Sequence, residues 1–259
     1  MFLIMKRFLL AILAIAMCGG LSSCGDDNES VLDPTNPENP TNATKRVVKI
    51  VDTHDGYSTT YEISYDSEGR VMSIYADKGN GWSEDFSYSD ASASLTYYNK
   101  EEGEGFKATL RFNDKGYVTE INSNDQWIIS NTYTDDYLTK ISELYKRENE
   151  NDDVENYVYN YQDGLLVSGS EFSSITYTNI PNIGNICVDE EIFETFEEFT
   201  YAGLFGKMYK YMPEKCKIGN DGVYTYSYSL DKDGYVKSVK ITDEDGEVST
   251  RDFTYADVK

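Results

Sequence analysis

Hydrophobic and polar residues alternate with a period of two over most of the chain after residue 45. In residues 57–65, every second position is aromatic, aliphatic or Thr, and the positions between are polar. The pattern returns in residues 106–112, 157–161 and 224–230. Because neighbouring side chains of a strand point to opposite faces, this alternation predicts strands with one buried face. Roughly fifteen such runs follow one another, which predicts an all-β fold.

Turn-forming segments separate these runs. Segments 66–69, 113–116 and 231–234 each begin with Asp or Asn and end with Gly. Asp or Asn favours the start of a type I turn and Gly accepts the left-handed position, so each segment predicts an antiparallel hairpin. Looser copies begin at Tyr133 and Tyr161, and their uneven spacing argues against a solenoid. We predict an antiparallel hairpin meander that curls into a barrel-like or large curved sheet.

One segment has helical rather than strand periodicity. Asp189 can cap a helix, two acidic residues follow it, and apolar residues then recur at helical spacing. Gly203 and Gly206 offer stops. The sequence therefore predicts one helix near 189–206 that packs against the sheet or plugs it.

The first 24 residues have the order of a bacterial export signal. Lys6 and Arg7 precede an apolar run of about eleven residues, which is shorter than the roughly 20 needed to span a bilayer. Leu21-Ser22-Ser23 then precede Cys24. This arrangement resembles a lipoprotein signal, which implies cleavage before Cys24 and lipid, including palmitate, on that cysteine. Several acyl chains would anchor the protein stably in a membrane, whereas one chain binds only marginally. The alternative is a plain secretory signal.

The segment after Cys24 has the composition of a flexible tether. Residues 25–44 hold three of the five prolines and almost nothing apolar, so they cannot offset the entropy of ordering. Acidic residues directly after Cys24 resemble the surface-export signal of Bacteroidetes lipoproteins, or they are simply solvated. We predict a signal peptide at 1–23, lipidated cysteine and tether at 24–45, and a β-rich domain at 46–259. The predicted location is the outer membrane, lipid-anchored and facing the cell exterior.

The charge of the chain excludes several classes of partner. Its formal net charge is −23, and loss of residues 1–23 would remove Lys6 and Arg7 but no acid. Without a basic stripe the chain is a poor match for nucleic acid or for an anionic lipid surface. Polar residues at alternate strand positions favour a water-soluble body over a membrane-spanning barrel, which needs an outward apolar band.

The sequence offers little catalytic chemistry. His54 is the only histidine and sits beside a predicted turn, which argues against a Ser-His-Asp triad and against zinc sites with several histidines. No Gly-rich phosphate loop is present. Carboxylates are plentiful, but nothing singles out a glycosidase pair. Segment 243–247 looks slightly like a calcium loop, although a hairpin turn fits it better. We predict a protein that is not an enzyme and carries no cofactor or metal.

Two cysteines and two tryptophans remain as candidate site residues. Cys187 and Cys216 can form a disulfide, which would stabilise by about 3–4 kcal/mol, or remain two buried thiols. Trp82 and Trp127 are candidates for ligand binding, because aromatic faces stack on ligands. The alternative is that aromatic residues merely fill a half-exposed sheet.

The lipoprotein signal, the tether, the hairpins and segment 202–207 together resemble an uncharacterised Bacteroidetes lipoprotein family. That family is a domain of unknown function with a porin-like fold. The resemblance implies a β-rich envelope protein and brings no catalytic residues. We therefore expect a surface lipoprotein that binds an extracellular ligand, glycan or protein. The alternative is a structural or accessory lipoprotein of an outer-membrane complex.

Overall fold

A computed structural model describes residues 45–77, 81–89, 92–100, 103–147, 152–188, 193, 197–219 and 222–257. The predicted signal peptide, Cys24 and nearly all of the tether lie outside the described residues. Lys45, the last residue of the predicted tether, already belongs to the first strand.

Within these ranges the strands form one 16-stranded sheet. They are β1 (Lys45–His54), β2 (Tyr57–Tyr65), β3 (Val71–Ala76), β4 (Trp82–Ser89), β5 (Ser92–Asn99), β6 (Glu104–Phe112), β7 (Val118–Ser123), β8 (Trp127–Thr134), β9 (Tyr137–Tyr145), β10 (Asp153–Gln162), β11 (Leu165–Gly169), β12 (Phe172–Pro181), β13 (Tyr211–Ile218), β14 (Gly222–Leu230), β15 (Val236–Thr242) and β16 (Val248–Asp257).

The sheet closes on itself almost completely. Each strand pairs antiparallel with the strand that follows it, except that β11 and β12 are not joined by a ladder. β1 also pairs with β16, so the first and last strands lie side by side. β11 and β12 form the two edges and lie next to each other, which leaves a nearly closed barrel with one seam. The predicted all-β meander is confirmed, with sixteen described strands rather than about fifteen.

The hairpin turns have the predicted chemistry. The Asp66 carboxylate accepts hydrogen bonds from the backbone amides of Glu68 and Arg70, both at 2.9 Å. Gly69 completes the turn with a φ of +76°, a conformation that favours glycine. The same side-chain bonds recur at Asn113, Asp231 and Asp243. Segment 243–247 is therefore a hairpin turn.

Buried tyrosine hydroxyls tie strand pairs together. The hydroxyl of Tyr65 on β2 donates to the carbonyl of Val47 on β1 at 2.9 Å. The equivalent bonds of later pairs are Tyr133 to Val118, Tyr177 to Leu166, Tyr228 to Pro213 and Tyr255 to Val236. Burial raises the pKa of Tyr65 to about 12, so its hydroxyl stays protonated and keeps donating into the alkaline range. Part of the high tyrosine content is thus structural.

One of these bonds crosses the seam. Tyr177 on β12 donates to the carbonyl of Leu166 on β11 at 2.8 Å, where no backbone ladder joins the two strands. The two strands at the seam are therefore joined by the same kind of tyrosine hydrogen bond that links the other strand pairs.

Replacing Tyr177 with phenylalanine should lower the free energy of unfolding by about 0.5–1.5 kcal/mol, the net value of one hydrogen bond. Denaturant unfolding checks this value, with Tyr98→Phe on the exposed outer face of β5 as the control. Equal stability of the two variants would mean that the hydroxyl does not hold the seam.

The connection between β12 and β13 lies inside the barrel, and we call its described residues, 182–188, 193 and 197–210, the plug. Phe199 packs against Phe86 of β4 with ring centroids 5.7 Å apart, and Phe193 packs against Tyr159 of β10 at 4.8 Å. Because β4 and β10 lie well apart in the sheet order, these contacts reach different walls of the barrel. The core of the protein is thus the space between the sheet and the plug.

The predicted helix is present but short. Among the described residues the only helix is α1 (Glu197–Tyr201), while residues 202–205 form turns and Gly203 has a φ of +74°. Most of the predicted first half, 189–196, lies outside the described residues. No helix in the described ranges is long and apolar enough to cross a membrane.

Arg251 of β16 fixes the plug from a third side. Its guanidinium donates to the carbonyl of Val188 at 3.2 Å and to the Tyr201 hydroxyl, both in the plug. It also donates to the Asp52 carboxylate of β1 at 2.9 Å. The Arg251 side chain is only 4% exposed, and the Asp52 carboxylate compensates its charge.

The plug attaches at one end of the barrel. Its backbone bonds to this end are Val118 N to Leu204 O, Lys207 N to Asp136 O and Lys210 N to Gly164 O. Gly206 lies so close to the turn after β8 that a Cβ there would be 2.4 Å from the Asp136 carbonyl oxygen. The chain also enters β1 at this end, with Lys45. We call it the proximal end and the other the distal end.

Candidate functional site

Six aromatic side chains form a continuous strip on the inner face of the sheet near the distal end. We call them the aromatic strip: Tyr61, Trp82, Tyr97, Phe106, Trp127 and Tyr145. They come from β2, β4, β5, β6, β8 and β9. Each ring is partly buried, and four of them, Tyr61, Trp82, Phe106 and Trp127, pack against the core. The strip is therefore a concave aromatic surface with partial access to solvent.

The rings contact one another in sequence around the wall. The centroid separations, in order from Tyr61 to Tyr145, are 6.2, 5.9, 5.0, 6.1 and 6.2 Å. These distances lie within the usual range for aromatic pairs. Strand register produces this arrangement, because Tyr97 lies directly opposite Phe106, and Trp127 directly opposite Tyr145. The two tryptophans singled out from the sequence thus belong to one surface.

A buried carboxylate supports one end of the strip. Glu143 is 2% exposed and accepts a hydrogen bond from the Tyr145 hydroxyl at 2.6 Å. Burial, and then this bond to the carboxylate, raise the pKa of Tyr145. Tyr145 therefore remains a neutral donor, and its ring is held in place by the bond.

Two acidic residues, Glu84 and Glu198, lie where α1 meets β4. Glu84 follows Trp82 on the inner face of β4 and is 0% exposed. Among the described residues, neither of its carboxyl oxygens has a hydrogen-bond partner of good geometry. Burial raises the pKa of Glu84 well above its usual value, and the carboxyl of Glu198 on α1 raises it further. The raised pKa favours the neutral form of the Glu84 carboxyl.

This pair makes stability depend on pH. A carboxyl whose pKa is raised in the folded state contributes stability that is present at low pH and lost as pH rises through the folded pKa. Glu84→Gln should remove that loss, so the variant should be more stable than the parent at alkaline pH by about 1–3 kcal/mol. Urea unfolding from acidic to alkaline pH checks this, with Asp85→Asn on the outer face as the control. A parallel pH dependence of parent and Glu84→Gln would contradict it.

The other candidates from the sequence lie elsewhere. Cys187 of the plug and Cys216 of β13 are both buried. Cys216 lies opposite Ile175 of β12 in the ladder, next to the seam. The pairing of the two cysteines as a disulfide remains a prediction. His54 lies at the distal end of β1, beside the turn as expected, 3.3 Å from the Asp55 carboxylate.

One group of possible metal-ligating side chains occurs among the described residues. Ligand atoms of His54, Asp55 and Glu247 lie within 4.8 Å of one another at the distal end. Asp55 and Glu247 are exposed, and Glu247 also donates its backbone amide to Asp243 in the hairpin turn. The pairing of β1 with β16, with His54 opposite Ser249, brings the β1–β2 and β15–β16 turns together.

Glu84, Glu143 and Glu198 were not singled out from the sequence. The alternation of β4 carried a signal for Glu84. Residue 84 shares its face of the strand with Trp82 and Phe86, whereas Ser83 and Asp85 lie on the other face. A carboxyl at a position of the buried face stands out, since unpaired acids are rarely buried.

Comparison with known structures supports the fold. The chain is similar to a porin-like protein from Bacteroides uniformis, with a TM-score of 0.65 and 19% identity over 82% of this chain and 97% of that chain. At this identity the likeness shows the fold alone. No protein-family model and no curated protein matches the chain. The porin-like fold implied by the resemblance is therefore confirmed, and membership of the lipoprotein family remains a prediction.

Proposed function

We propose that this chain is a non-enzymatic lipoprotein of the outer membrane, exposed at the cell surface, that binds an extracellular glycan along the aromatic strip. The observation that carries the proposal is the strip itself: six contacting rings on a concave wall, beside buried carboxylates. Binding sites for small ligands are typically concave surfaces lined by aromatic rings with a few placed polar groups.

Sugars match both parts of this surface. The apolar faces of pyranose rings stack on aromatic faces, and their hydroxyls donate to carboxylates, which only accept. The Tyr145 hydroxyl, held by the buried Glu143 carboxylate, provides a polar group that can accept from a sugar hydroxyl beside Trp127. A linear chain of sugars can follow the strip from ring to ring.

The outer face of the barrel supports a body that stands in water. Outward positions of β4 and β5 carry Ser83, Asp85, Ser87, Ser89, Ser92, Ser94 and Thr96, with Tyr98 as the one aromatic residue, and β15 and β16 present Lys240 and Thr250. A lipid-facing wall would carry an apolar band at these positions. The membrane attachment proposed here is therefore the lipid on Cys24.

The aromatic strip and the first described residue lie at opposite ends of the barrel. β1 begins with Lys45 at the proximal end, where the plug is also bonded. The aromatic strip lies near the distal ends of its strands. We therefore expect an extracellular ligand to approach the strip from the distal end.

The acidic pair favours binding over glycoside hydrolysis. Glycosidases hold two carboxyls about 5 Å or more apart, with the substrate between them. Glu84 and Glu198 instead act directly on each other, and Glu84 is 0% exposed. The pair thus joins the plug to the wall rather than flanking a bond to be cleaved.

Substitution of the proposed lipid site tests the anchor. Cys24→Ser should move the protein from the membrane fraction to the soluble fraction, because the acyl chains supply the attachment. Cys18→Ser, within the predicted signal, should leave the protein in the membrane. Fractionation with mass spectrometry of the N-terminal peptide checks both, and membrane retention of Cys24→Ser would contradict the proposed anchor.

Ligand binding is tested with polysaccharides. Thermal unfolding of the protein with a panel of host and plant polysaccharides should show stabilisation of about 2.7 kcal/mol at 100 times the dissociation constant. No shift with any member, together with specific co-purification of an outer-membrane protein, would contradict glycan binding. That result would favour the alternative function, an accessory lipoprotein of an outer-membrane complex.

A further inference from the structure

Acidic side chains predominate at the inward positions next to the aromatic strip. Inward positions next to the strip carry Glu84, Glu143, Asp153 and Glu155. Asp153 lies directly opposite Tyr145 in the ladder, and Glu155 directly opposite Glu143. The acidic side chains therefore form part of the same wall as the rings.

Cations on the same wall are scarce. In the described parts of β2 to β10, the register places no Lys or Arg on the inner face. Arg147, in the loop after β9, pairs with Asp153 at 3.2 Å. Arg251 is paired with Asp52 and buried with the plug. Neither arginine adds an uncompensated positive charge beside the strip.

We propose that the strip selects neutral polysaccharides and rejects polyanionic ones. This inference rests on the proposed function and names the ligand class of that site. Asp153 is paired with Arg147, but Glu155 is exposed and forms no ion pair among the described residues, so an approaching carboxylate or sulfate would meet like charge at the wall. The protein as a whole carries a formal net charge of −23, which extends the same repulsion into solution. Hydroxyls of a neutral glycan can instead donate to the carboxylates.

The test uses matched polymers and an intrinsic probe. The chain has two tryptophans, and both belong to the strip. The protein is titrated with a linear α-glucan, a linear β-glucan, a mannan and a xylan, and its tryptophan emission is recorded. Each is compared with a carboxymethylated or sulfated derivative of the same chain. Titrations run at about 0.1 M and about 1 M salt, where the screening length falls from ~10 Å to ~3 Å.

We expect a saturable emission change with at least one neutral polymer. At low salt its anionic derivative should bind more weakly, by about tenfold or more. This ratio of affinities, the discrimination, should shrink at high salt. It should also shrink in the double variant Asp153→Asn with Glu155→Gln. The control, Asp85→Asn with Asp252→Asn, removes two outward acids and should leave the discrimination intact.

Two results overturn the proposal, and they differ. An anionic derivative that changes tryptophan emission at the same or lower concentration than its neutral parent refutes the charge selection while glycan binding stands. A full panel without any emission change refutes glycan binding at the strip, and the selection falls with it.

Discussion

Replacing Phe199 with alanine is expected to lower the free energy of unfolding by about 3–5 kcal/mol. Phe199 is fully buried on α1 and packs between Phe86 of β4 and Phe205 of the plug, at 5.7 and 5.6 Å. Truncation removes the apolar contacts of a whole ring and leaves a cavity between plug and wall, which the closed sheet cannot easily collapse to fill.

Denaturant unfolding measures this effect, provided that the slope of the free energy of unfolding against denaturant concentration is the same for the variant and the parent. Val223→Ala on the outer face of β14 is the control, because its side chain is 39% exposed and should cost little. A loss below about 1 kcal/mol for Phe199→Ala would show that the plug is not packed against the wall.

Replacing Trp82 or Trp127 with alanine is expected to weaken glycan binding by about thirtyfold, as for the central residues of other interfaces, which contribute about 2 kcal/mol or more each. Trp82 contacts Tyr61 and Tyr97, and Trp127 contacts Phe106 and Tyr145, so each lies inside the strip rather than at its end. Removing either ring interrupts the surface on which a sugar chain stacks.

Tyr97 and Tyr98 offer a matched comparison on one strand. Tyr97 belongs to the strip, whereas Tyr98 points outward and is 45% exposed. Calorimetric titration should show weaker binding for Tyr97→Ala and unchanged binding for Tyr98→Ala. The reverse order would place the ligand on the outer face of the barrel.

The sequence carried enough information for the fold class because its signals were local. Alternation defined each strand, and the Asp or Asn to Gly segments defined the hairpins, as Asp66 and Gly69 show. Since consecutive hairpins need only pair with their neighbours, a meander follows without any long-range rule. β1 pairs with β16, which lies about 200 residues later in the chain, and no local pattern predicts such a pairing. The sequence therefore left a barrel and an open curved sheet as alternatives.

The aromatic strip depended on register, which the sequence does not show directly. Bulges shift the ladder at Tyr65, Phe112 and Tyr133, and each shift changes which side chains lie opposite one another. Trp82 and Trp127 were identified singly, but that Tyr97 and Phe106 connect them follows only from the paired strands.

The end of the helix followed from a local signal. The sequence offered Gly203 and Gly206 as stops, and α1 ends at Tyr201, with residues 202–205 in turns and positive φ values at both glycines. Glycine adopts this left-handed conformation without the steric cost that other residues incur.

Tryptophan emission during titration with neutral polysaccharides tests the central claim most directly, because both tryptophans of the chain lie in the aromatic strip. A glycan that stacks on the strip must change their surroundings. The account predicts a saturable change in emission that tracks binding measured by calorimetry. Polysaccharide binding by calorimetry without any change in emission would contradict it, because the ligand would then lie away from the strip.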